Sequence, residues 1–400
     1  MSAVMRRKLA LFALFSIPGL AIASWVTRTP TIRDQIHAST AEMGLVLFGL
    51  SLGSLAGILC SGPFVARVGA RLAITIGMSG LVAGLPVIGL GAVLGSQLLV
   101  AIGLAMFGLG MGSAEVAMNV EGGDVERITG RTFLPLLHGF YSLGNVVGAV
   151  LGIWLAAISF PVLWHLSIVF AVTLVLLVAS VGKLPRDTGR ISRPKKAEAL
   201  ARGIKARSDR FRPDARIVLI GLMVMALALA EGAANDWLPL VMVDGHGFPE
   251  SLGSAIFAVF AFAMMLGRFL GGGLVTRFGR GTVLAASGLF AAAGLLVVSV
   301  AENQIAAAVA VILWGLGASL GFPLTLSAAG DSGPNPTQRV ALASTLGYIA
   351  FLVGPPALGF LGEEFGLRNA LLVPMAAALL AVFLAPAARS ARPGERDAQE

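Results

Sequence analysis

The stretch KLPRDTGRISRPKKAEALARGIKARSDRFRPDAR, residues 183–216, is the only long polar run in the chain. It carries twelve Lys and Arg residues against four Asp and Glu residues. The sequence on both sides is almost continuously apolar, so this run is predicted to be a water-exposed linker between two membrane-embedded halves. Basic segments are retained on the cytoplasmic side of a membrane, and we therefore expect the linker to lie inside the cell.

The composition excludes a soluble globular protein. Of the 400 residues, 56% are hydrophobic and only 12% are charged, whereas charged residues approach a quarter of a soluble domain. The formal net charge of +8 is spread over short loops between apolar segments, so no nucleic-acid partner is expected. A single cysteine, Cys60, excludes an intrachain disulfide and a cysteine-based metal site.

Twelve apolar runs are long enough to cross a bilayer as helices. The first follows two arginines and contains Ala-Ile-Ala at 21–23, which resembles a signal-peptide cleavage site; it continues to Val26 and is interpreted as an uncleaved helix. The runs are residues 9–27, 42–63, 72–92, 97–119, 133–157, 162–182, 217–239, 251–273, 281–301, 305–328, 340–361 and 368–387. The fold class is therefore an all-α membrane protein.

The loops between these spans differ in charge. An even number of spans places both termini on one side, and most loop arginines fall on the side of the linker, which is predicted to be the cytoplasm. The predicted organisation is an N-terminal six-helix bundle (1–182), a basic cytoplasmic linker (183–216), a C-terminal six-helix bundle (217–388) and a cytoplasmic tail (389–400). We expect a multi-pass protein of the bacterial cytoplasmic (inner) membrane.

The two halves also share a sequence repeat. GPFVARVG at 62–69 follows the second span, and GGLVTRFG at 272–279 follows the eighth. A repeat 210 residues apart predicts two six-helix units with the same orientation. Glycines at these positions allow a tight turn between adjacent helices.

These octets resemble the loop motif Gly-x-x-x-Asp-Arg-x-Gly-Arg of the major facilitator superfamily, and the resemblance covers all twelve spans. The matching residues are Gly62, Arg67, Gly69, Gly272, Arg277 and Gly279, for which the resemblance implies a role in gating loops. The acidic position of the motif is Ala66 in one copy and Thr276 in the other. This departure argues against the charge-relay latch that the family pattern implies.

Further segments resemble a branch of that superfamily that contains a rhizobial rhizopine-transport protein and an enterobacterial inner-membrane protein. They are ASWVTRTPTIRD at 23–34, MNVEG at 118–122, LHGFYSLG at 137–144, AEGA at 230–233, Asp-Trp at 236–237 and the stretch from Gly347-Tyr348 to Gly354-Pro355-Pro356. The resemblance implies secondary transport, with a cyclitol or a sugar-like molecule as one class of solute.

Ionisable side chains within the spans are few, and each costs roughly 2.5–3.5 kcal/mol on insertion scales. Glu115 and Asn119 are four residues apart and share a face of the fourth span. His138 lies at a similar depth in the fifth span. Glu115 and His138 form either a titratable couple that takes up and releases a proton or a structural hydrogen bond between helices.

The seventh span repeats this spacing with Glu231 and Asn235. Glu231 is predicted to line a cavity and to bind a proton, with a helix-packing hydrogen bond as the alternative. Asp236, next to Trp237, is placed nearer the interface. Arg268, in the eighth span, is interpreted as structural, pairing with a helix-end carbonyl or with Asp331.

Aromatic residues complete the candidate solute site. Trp25 is either an interfacial anchor or a stacking surface for the solute, and Arg28 is either a cation reaching toward the interface or the charge partner of that solute. Tyr141 and Tyr348 are the only tyrosines and need hydroxyl partners that a polyhydroxylated solute can supply. The predicted solute-binding residues are Trp25, Arg28, Asn119, Tyr141, Asn235, Trp237 and Tyr348.

The predicted function is secondary active transport of a small polar solute by alternating access, with Glu115, His138 and Glu231 as candidate proton-coupling residues. The sequence contains no nucleotide cradle, metal-ligand spacing or nucleophile–base arrangement, so no ATP-driven pump, enzyme activity, metal or cofactor is expected. The expected partners are the solute, protons and membrane lipids, and the chain is expected to act as a monomer. Two alternatives are proton-driven efflux of drugs or metabolites and a non-transporting membrane sensor or assembly partner.

Overall fold

The computed structural model of the chain describes residues 2–130, 133–190 and 213–389. The chain divides into two compact units. The first unit is Met1–Ser208 together with Pro249–Ala258, and the second is Asp209–Phe248 together with Val259–Glu400. The predicted division placed 249–258 in the second bundle. In the structure these residues group with the first unit, in which Ser254 Oγ donates a 2.6 Å hydrogen bond to the carbonyl of Thr27 and Glu250 accepts one from Thr31.

The helices of the first unit follow the predicted spans, with one short helix added. They are α1 (Ala3–Val26), α2 (Thr29–Gln35), α3 (Thr40–Val68), α4 (Ala70–Val93), α5 (Gln97–Thr129), α6 (Leu134–Ala157) and α7 (Val162–Val181). Pro30 lies in the first turn of α2, where the missing amide hydrogen costs no helical bond. Six of these helices are long and apolar enough to span a membrane.

The helices after the linker give the other six spans. They are α8 (Ala215–Leu240) with a π-helical turn (Val241–Gly245), α9 (Glu250–Phe278), α10 (Arg280–Val300), α11 (Gln304–Ala318), α12 (Gly321–Gly330), α13 (Pro336–Phe365), α14 (Leu367–Ala370), α15 (Leu372–Leu384) and a 3₁₀ turn (Ala385–Ala388). No strand occurs in the described ranges. The twelve spans and the all-α fold class are confirmed.

The tenth predicted span, 305–328, is not one continuous helix. It divides into α11 and α12 at Ser319 and Leu320. The residues on both sides of the break are apolar, so hydropathy alone predicts an uninterrupted span. The break leaves backbone carbonyl groups without helical partners, and such groups need other donors.

The predicted gating loops are much shorter than expected. Gly62 and Arg67 lie within α3, and Gly272 and Arg277 lie within α9. Only the last glycine of each octet forms the turn, Gly69 with φ 86° and Gly279 with φ 78°. Glycine is needed there because side chains disfavour positive φ. Arg67 and Arg277 are exposed, and their gating role stays a prediction.

The described residues of the predicted linker, 183–190 and 213–216, contact the helices. The amide of Ala70 donates a 2.8 Å hydrogen bond to the carbonyl of Thr188, and Leu184 is buried. The first residues of the linker therefore dock on the first unit beside the turn at Gly69. Residues 191–212 of the linker and 390–400 of the tail lie outside the described residues.

Glycines on α6 bring its backbone close to that of α1, as the spacing of Gly144, Gly148 and Gly152 predicts. A Cβ atom added at Gly144 would lie 2.3 Å from the carbonyl oxygen of Ser16, and one at Gly148 would lie 2.5 Å from that of Leu20. These distances are shorter than any van der Waals contact. The two helices therefore touch through their backbones along this strip.

The contact predicts a stability difference between two glycine substitutions. Gly144→Ala should lower the free energy of unfolding by about 1–3 kcal/mol, because α1 and α6 must separate. Gly62→Ala is the matched control, since no heavy atom lies within 4 Å of its added Cβ and alanine favours a helix interior. The melting temperature of purified protein checks both. A Gly144→Ala protein as stable as Gly62→Ala would contradict the close contact.

Candidate functional site

An ion pair joins α8 and α9 in the second unit. Arg268 Nη2 lies 3.1 Å from Glu231 Oε1, and Arg268 Nε donates a 3.3 Å hydrogen bond to the carbonyl of Ser319. The helix-end carbonyl predicted for Arg268 is therefore present, at the end of α11. Asp331 is not its partner, because that carboxylate accepts a 2.8 Å hydrogen bond from Arg280.

Neighbouring contacts hold this ion pair in place. The indole of Trp314 on α11 donates a 2.9 Å hydrogen bond to the carbonyl of Ala230, directly before Glu231. The same ring packs edge-on against Phe260 of α9, with ring centroids 5.6 Å apart. Trp314 thus contacts both helices that carry the ion pair.

The pair lies largely away from solvent. The Glu231 side chain is 12% exposed and that of Arg268 is 34% exposed. Desolvated charges are stable only when each has a partner, and losing one partner is more costly than losing both. Protonation of Glu231 would remove the negative charge and leave Arg268 with the Ser319 carbonyl. Protonation would therefore weaken the contact between α8 and α9 and leave the contact of α9 with the Ser319 carbonyl in place.

The other predicted residues of the second unit differ in burial. Asn235 is half-buried like Glu231, one turn away on α8, whereas Asp236 and Trp237 are buried. The indole nitrogen of Trp237 has no hydrogen-bond partner among the described residues. Tyr348 on α13 is half-buried, and its ring centroid lies 6.2 Å from that of Phe322.

The predicted titratable couple of the first unit lies on two helices. Glu115 and Asn119 are half-buried on α5, and His138 is exposed on α6. The His138 ring packs edge-on against Phe15 of α1 with centroids 5.5 Å apart. Tyr141, one turn further along α6, is half-buried. Proton coupling through Glu115 and His138 stays a prediction.

A second ion cluster joins α1 to α5, and the sequence reasoning missed it. Arg7 Nε lies 2.6 Å from Glu121 Oε1, and Arg7 Nη2 lies 2.8 Å from Asp124 Oδ2. The Glu121 side chain is completely buried. The sequence could have indicated this cluster, because Glu121 and Asp124 are three residues apart and share one face of α5. The cluster lies in the part of α5 that continues ten residues beyond the predicted end of its apolar run, residue 119, to Thr129.

Asp214 connects the N-terminus of α8 to α13. One carboxylate oxygen caps the helix by accepting a 2.9 Å hydrogen bond from the amide of Ile217, and the other accepts one from Arg339. Hydrogen bonding from Arg339 lowers the pKa of Asp214 below its ordinary value. A carboxylate whose folded pKa is lowered stabilises the fold above its unfolded pKa, and this stabilisation is lost as pH falls through the folded pKa.

This capping predicts a pH-dependent effect of Asp214→Asn. The substitution should lower the melting temperature at pH 7, and the difference from the unmodified protein should shrink as pH falls below about 4. Asp187→Asn is the control, because Asp187 is 84% exposed. The effect is small because Asp214 is half exposed. An Asp214→Asn difference that persists unchanged at pH 3 would contradict the ionic origin.

Trp25 and Arg28 are both buried within the first unit. Trp25 is 1% exposed and Arg28 is 2% exposed. Arg28 Nη2 donates a hydrogen bond to the carbonyl of Phe160, in the connection between α6 and α7. Contact of Trp25 and Arg28 with a solute stays a prediction.

Comparisons with known proteins agree with this architecture. The model of the Major Facilitator Superfamily matches residues 9–339. The chain belongs to this superfamily. An uncharacterized transporter of Sinorhizobium fredii is 31% identical over 376 residues, covering 93% of this chain and 95% of that relative. An uncharacterized MFS-type transporter of Yersinia pestis is 30% identical over 375 residues, with 92% and 94% covered.

Membrane protein MosC of Rhizobium meliloti is 26% identical over 372 residues, covering 92% of this chain and 86% of MosC. The chain is thus a superfamily transporter consistent with a MosC-like branch. Among solved structures, a D-xylose–proton symporter superposes with a TM-score of 0.76 at 16% identity, covering 96% of this chain and 97% of the symporter. The nucleoside transporter NupG gives 0.71 at 13%, with 97% and 99% covered. These two likenesses concern the fold.

No group of three His, Cys, Asp or Glu residues suited to a metal ion occurs in the part of the chain that the structure describes.

Proposed function

We propose that this superfamily member is a proton-coupled secondary transporter of a small polar solute, operating by alternating access. The observation that carries the proposal is the Glu231–Arg268 ion pair, which lies within predicted membrane spans. Intramembrane ionisable groups are costly and generally serve transport pathways or proton relays. A carboxylate that exchanges an arginine for a proton is a group through which a proton gradient can act.

The coupling would work through the partner exchange of Arg268. When Glu231 is ionised, Arg268 joins α8 to the Ser319 carbonyl at the α11–α12 break. When Glu231 is protonated, the attraction between α8 and α9 weakens, because one of the two charges is gone. Two states that differ in the contact between α8 and α9 are what a gradient-driven conformational change needs.

The proposed solute is a small, polar and preferably hydroxylated molecule, such as a cyclitol or a sugar. A D-xylose–proton symporter and a nucleoside transporter are among the proteins of similar fold. Both of their named solutes carry several hydroxyl groups. The side chains proposed for solute contact are indole, phenol and amide groups. They are Trp25, Asn119 and Tyr141 in the first unit and Asn235, Trp237 and Tyr348 in the second. Their aromatic faces and hydrogen-bonding groups suit such a molecule.

We place the protein in the bacterial cytoplasmic membrane with both termini in the cytoplasm. The relatives named above come from bacteria. The basic loops and the basic linker support this orientation by the positive-inside rule.

Reconstituted proteoliposomes test the function. The pH gradient is imposed with the alkaline side either inside or outside the vesicles. Labelled myo-inositol, xylose and nucleosides should accumulate in the lumen when it is the alkaline side, and a protonophore should abolish the accumulation. Counterflow without a gradient should persist for the same solute. Accumulation only when the lumen is the acidic side would indicate exchange of solute for protons, as in efflux. Binding without counterflow for every solute would overturn transport and favour the sensor alternative.

A further inference from the structure

A polar cavity of about 340 Å³ lies in the first unit, beside Arg28. It is bordered by α2, by the connection between α6 and α7 and by the first residues of α9. Its polar lining side chains are Arg28, Thr31, Gln35, Ser159, Glu250 and Ser251. The volume is at the lower end of the range for small-molecule sites, roughly 300–1,000 Å³.

Arg28 is the unusual group in this lining. It is 2% exposed, and only its Nη2 donates a hydrogen bond, to the Phe160 carbonyl. Its Nε and Nη1 have no hydrogen-bond partner among the residues that the structure describes. A buried guanidinium with unused donors is costly, because each unmade hydrogen bond forfeits the solvation that water would give.

The Glu250 carboxylate in the cavity lining does not accept the unused hydrogen bonds of Arg28. Glu250 accepts a hydrogen bond from the Thr31 hydroxyl, and no ion pair joins Glu250 to Arg28 in the described part of the chain. Burial lowers the pKa of Arg28 below its ordinary value, and the charge of Glu250 offsets this only in part. The positive charge in the cavity is therefore incompletely compensated.

The backbone around the Arg28 contact is fixed in an uncommon conformation. Ser159 has φ 53°, in the left-handed region that non-glycine residues seldom adopt. This turn precedes Phe160, whose carbonyl accepts from Arg28. The contact orients the guanidinium while its other donors stay unused.

We propose that this cavity binds a small organic acid, with Arg28 holding the carboxylate. Arginine is the side chain best suited to this group, because its planar guanidinium presents several donors to two oxygens. Gln35 Oε1, a buried acceptor without a partner among the described residues, would accept from a hydroxyl of the same solute. The inference rests on the proposed function and narrows its small polar solute to one that carries a carboxylate. Binding is measured without transport or proton coupling, so the two proposals can fail separately.

The test is a thermal-shift and calorimetric titration of the purified full chain with matched pairs of acid and neutral solute. The pairs are glucuronate and glucose, lactate and 1,2-propanediol, and succinate and 1,4-butanediol, at constant ionic strength and pH. We expect at least one acid to raise the melting temperature and its neutral partner to leave it unchanged. Equal responses within every pair, or no response to any acid, would overturn the proposal.

Two substitutions with opposite expected effects make the test specific. Arg28→Gln should weaken binding of the acid by roughly tenfold or more, since a charge-assisted hydrogen bond is lost. Glu250→Gln should tighten it by roughly threefold or more, because a repulsive charge leaves the cavity. If Arg28→Gln does not fold, Arg28→Lys and Glu250→Gln still decide the question. Weaker acid binding by Glu250→Gln would overturn the proposal and indicate a cationic or zwitterionic solute.

Discussion

Arg7→Met is expected to lower the free energy of unfolding by about 3–5 kcal/mol, because it removes one partner of a buried ion pair. Glu121 is completely buried and lies 2.6 Å from the Arg7 guanidinium. Without Arg7, this carboxylate keeps its desolvation cost and loses its partner. Denaturant unfolding of the purified protein, followed by tryptophan fluorescence, measures the loss.

A double variant that restores charge balance distinguishes the loss of the ion pair from the loss of side-chain packing. The double variant Arg7→Met/Glu121→Met removes both buried charges, and we expect it to recover most of the loss, because apolar replacement of a buried pair is often neutral or favourable. Arg67→Met is the control for losing an arginine, since Arg67 is exposed at the end of α3. A double variant as unstable as Arg7→Met alone would contradict the electrostatic explanation.

The spans could be predicted from the sequence because a bilayer demands about 20 consecutive apolar residues per helix, and few other arrangements meet that demand. Side-chain contacts that depend on which helices pack against each other could not be predicted in the same way. Arg268 shows the difference: hydropathy placed this arginine within the eighth span, but its partner Glu231 lies 37 residues away on another helix. The break at Ser319 was equally hidden, because the residues around it remain apolar.

Arg28 shows a second limit. Its position after the first span predicts a cation near an interface, where lysine and arginine side chains extend toward water. The structure buries it because the Phe160 connection and the beginning of α9 close around it. The local sequence shows an arginine just after the first span. Its burial arises from segments 132 and 222 positions further along the chain, at Phe160 and Glu250.

Glu231→Gln is expected to abolish accumulation of solute driven by a pH gradient while preserving counterflow within a few fold. Glutamine keeps the length of the side chain and an oxygen that can accept from Arg268, so the helix contacts at the α11–α12 break survive. It cannot exchange a proton. For one proton per solute, a gradient of one pH unit supports about tenfold accumulation, and this is the quantity that should fall to unity.

The measurement compares two assays on the same proteoliposomes. Gradient-driven uptake depends on proton exchange, whereas counterflow depends only on solute binding and the conformational cycle. Glu302→Gln is the control, because Glu302 is an exposed acid between α10 and α11. It should retain both activities. Loss of both activities in Glu231→Gln would point to a structural or solute-binding role.

Arg268 provides the decisive comparison for this mechanism. If protonation acts by freeing Arg268 from Glu231, Arg268→Gln should also uncouple transport from the gradient, because α9 then makes the same neutral contact in both protonation states. If Glu231→Gln instead retains full gradient-driven accumulation, the proton must bind elsewhere, and Glu115, His138 and buried Asp236 become the groups to substitute. A result in which Arg268→Gln uncouples transport and Glu231→Gln does not would contradict the partner exchange, because the arginine would then act without its carboxylate.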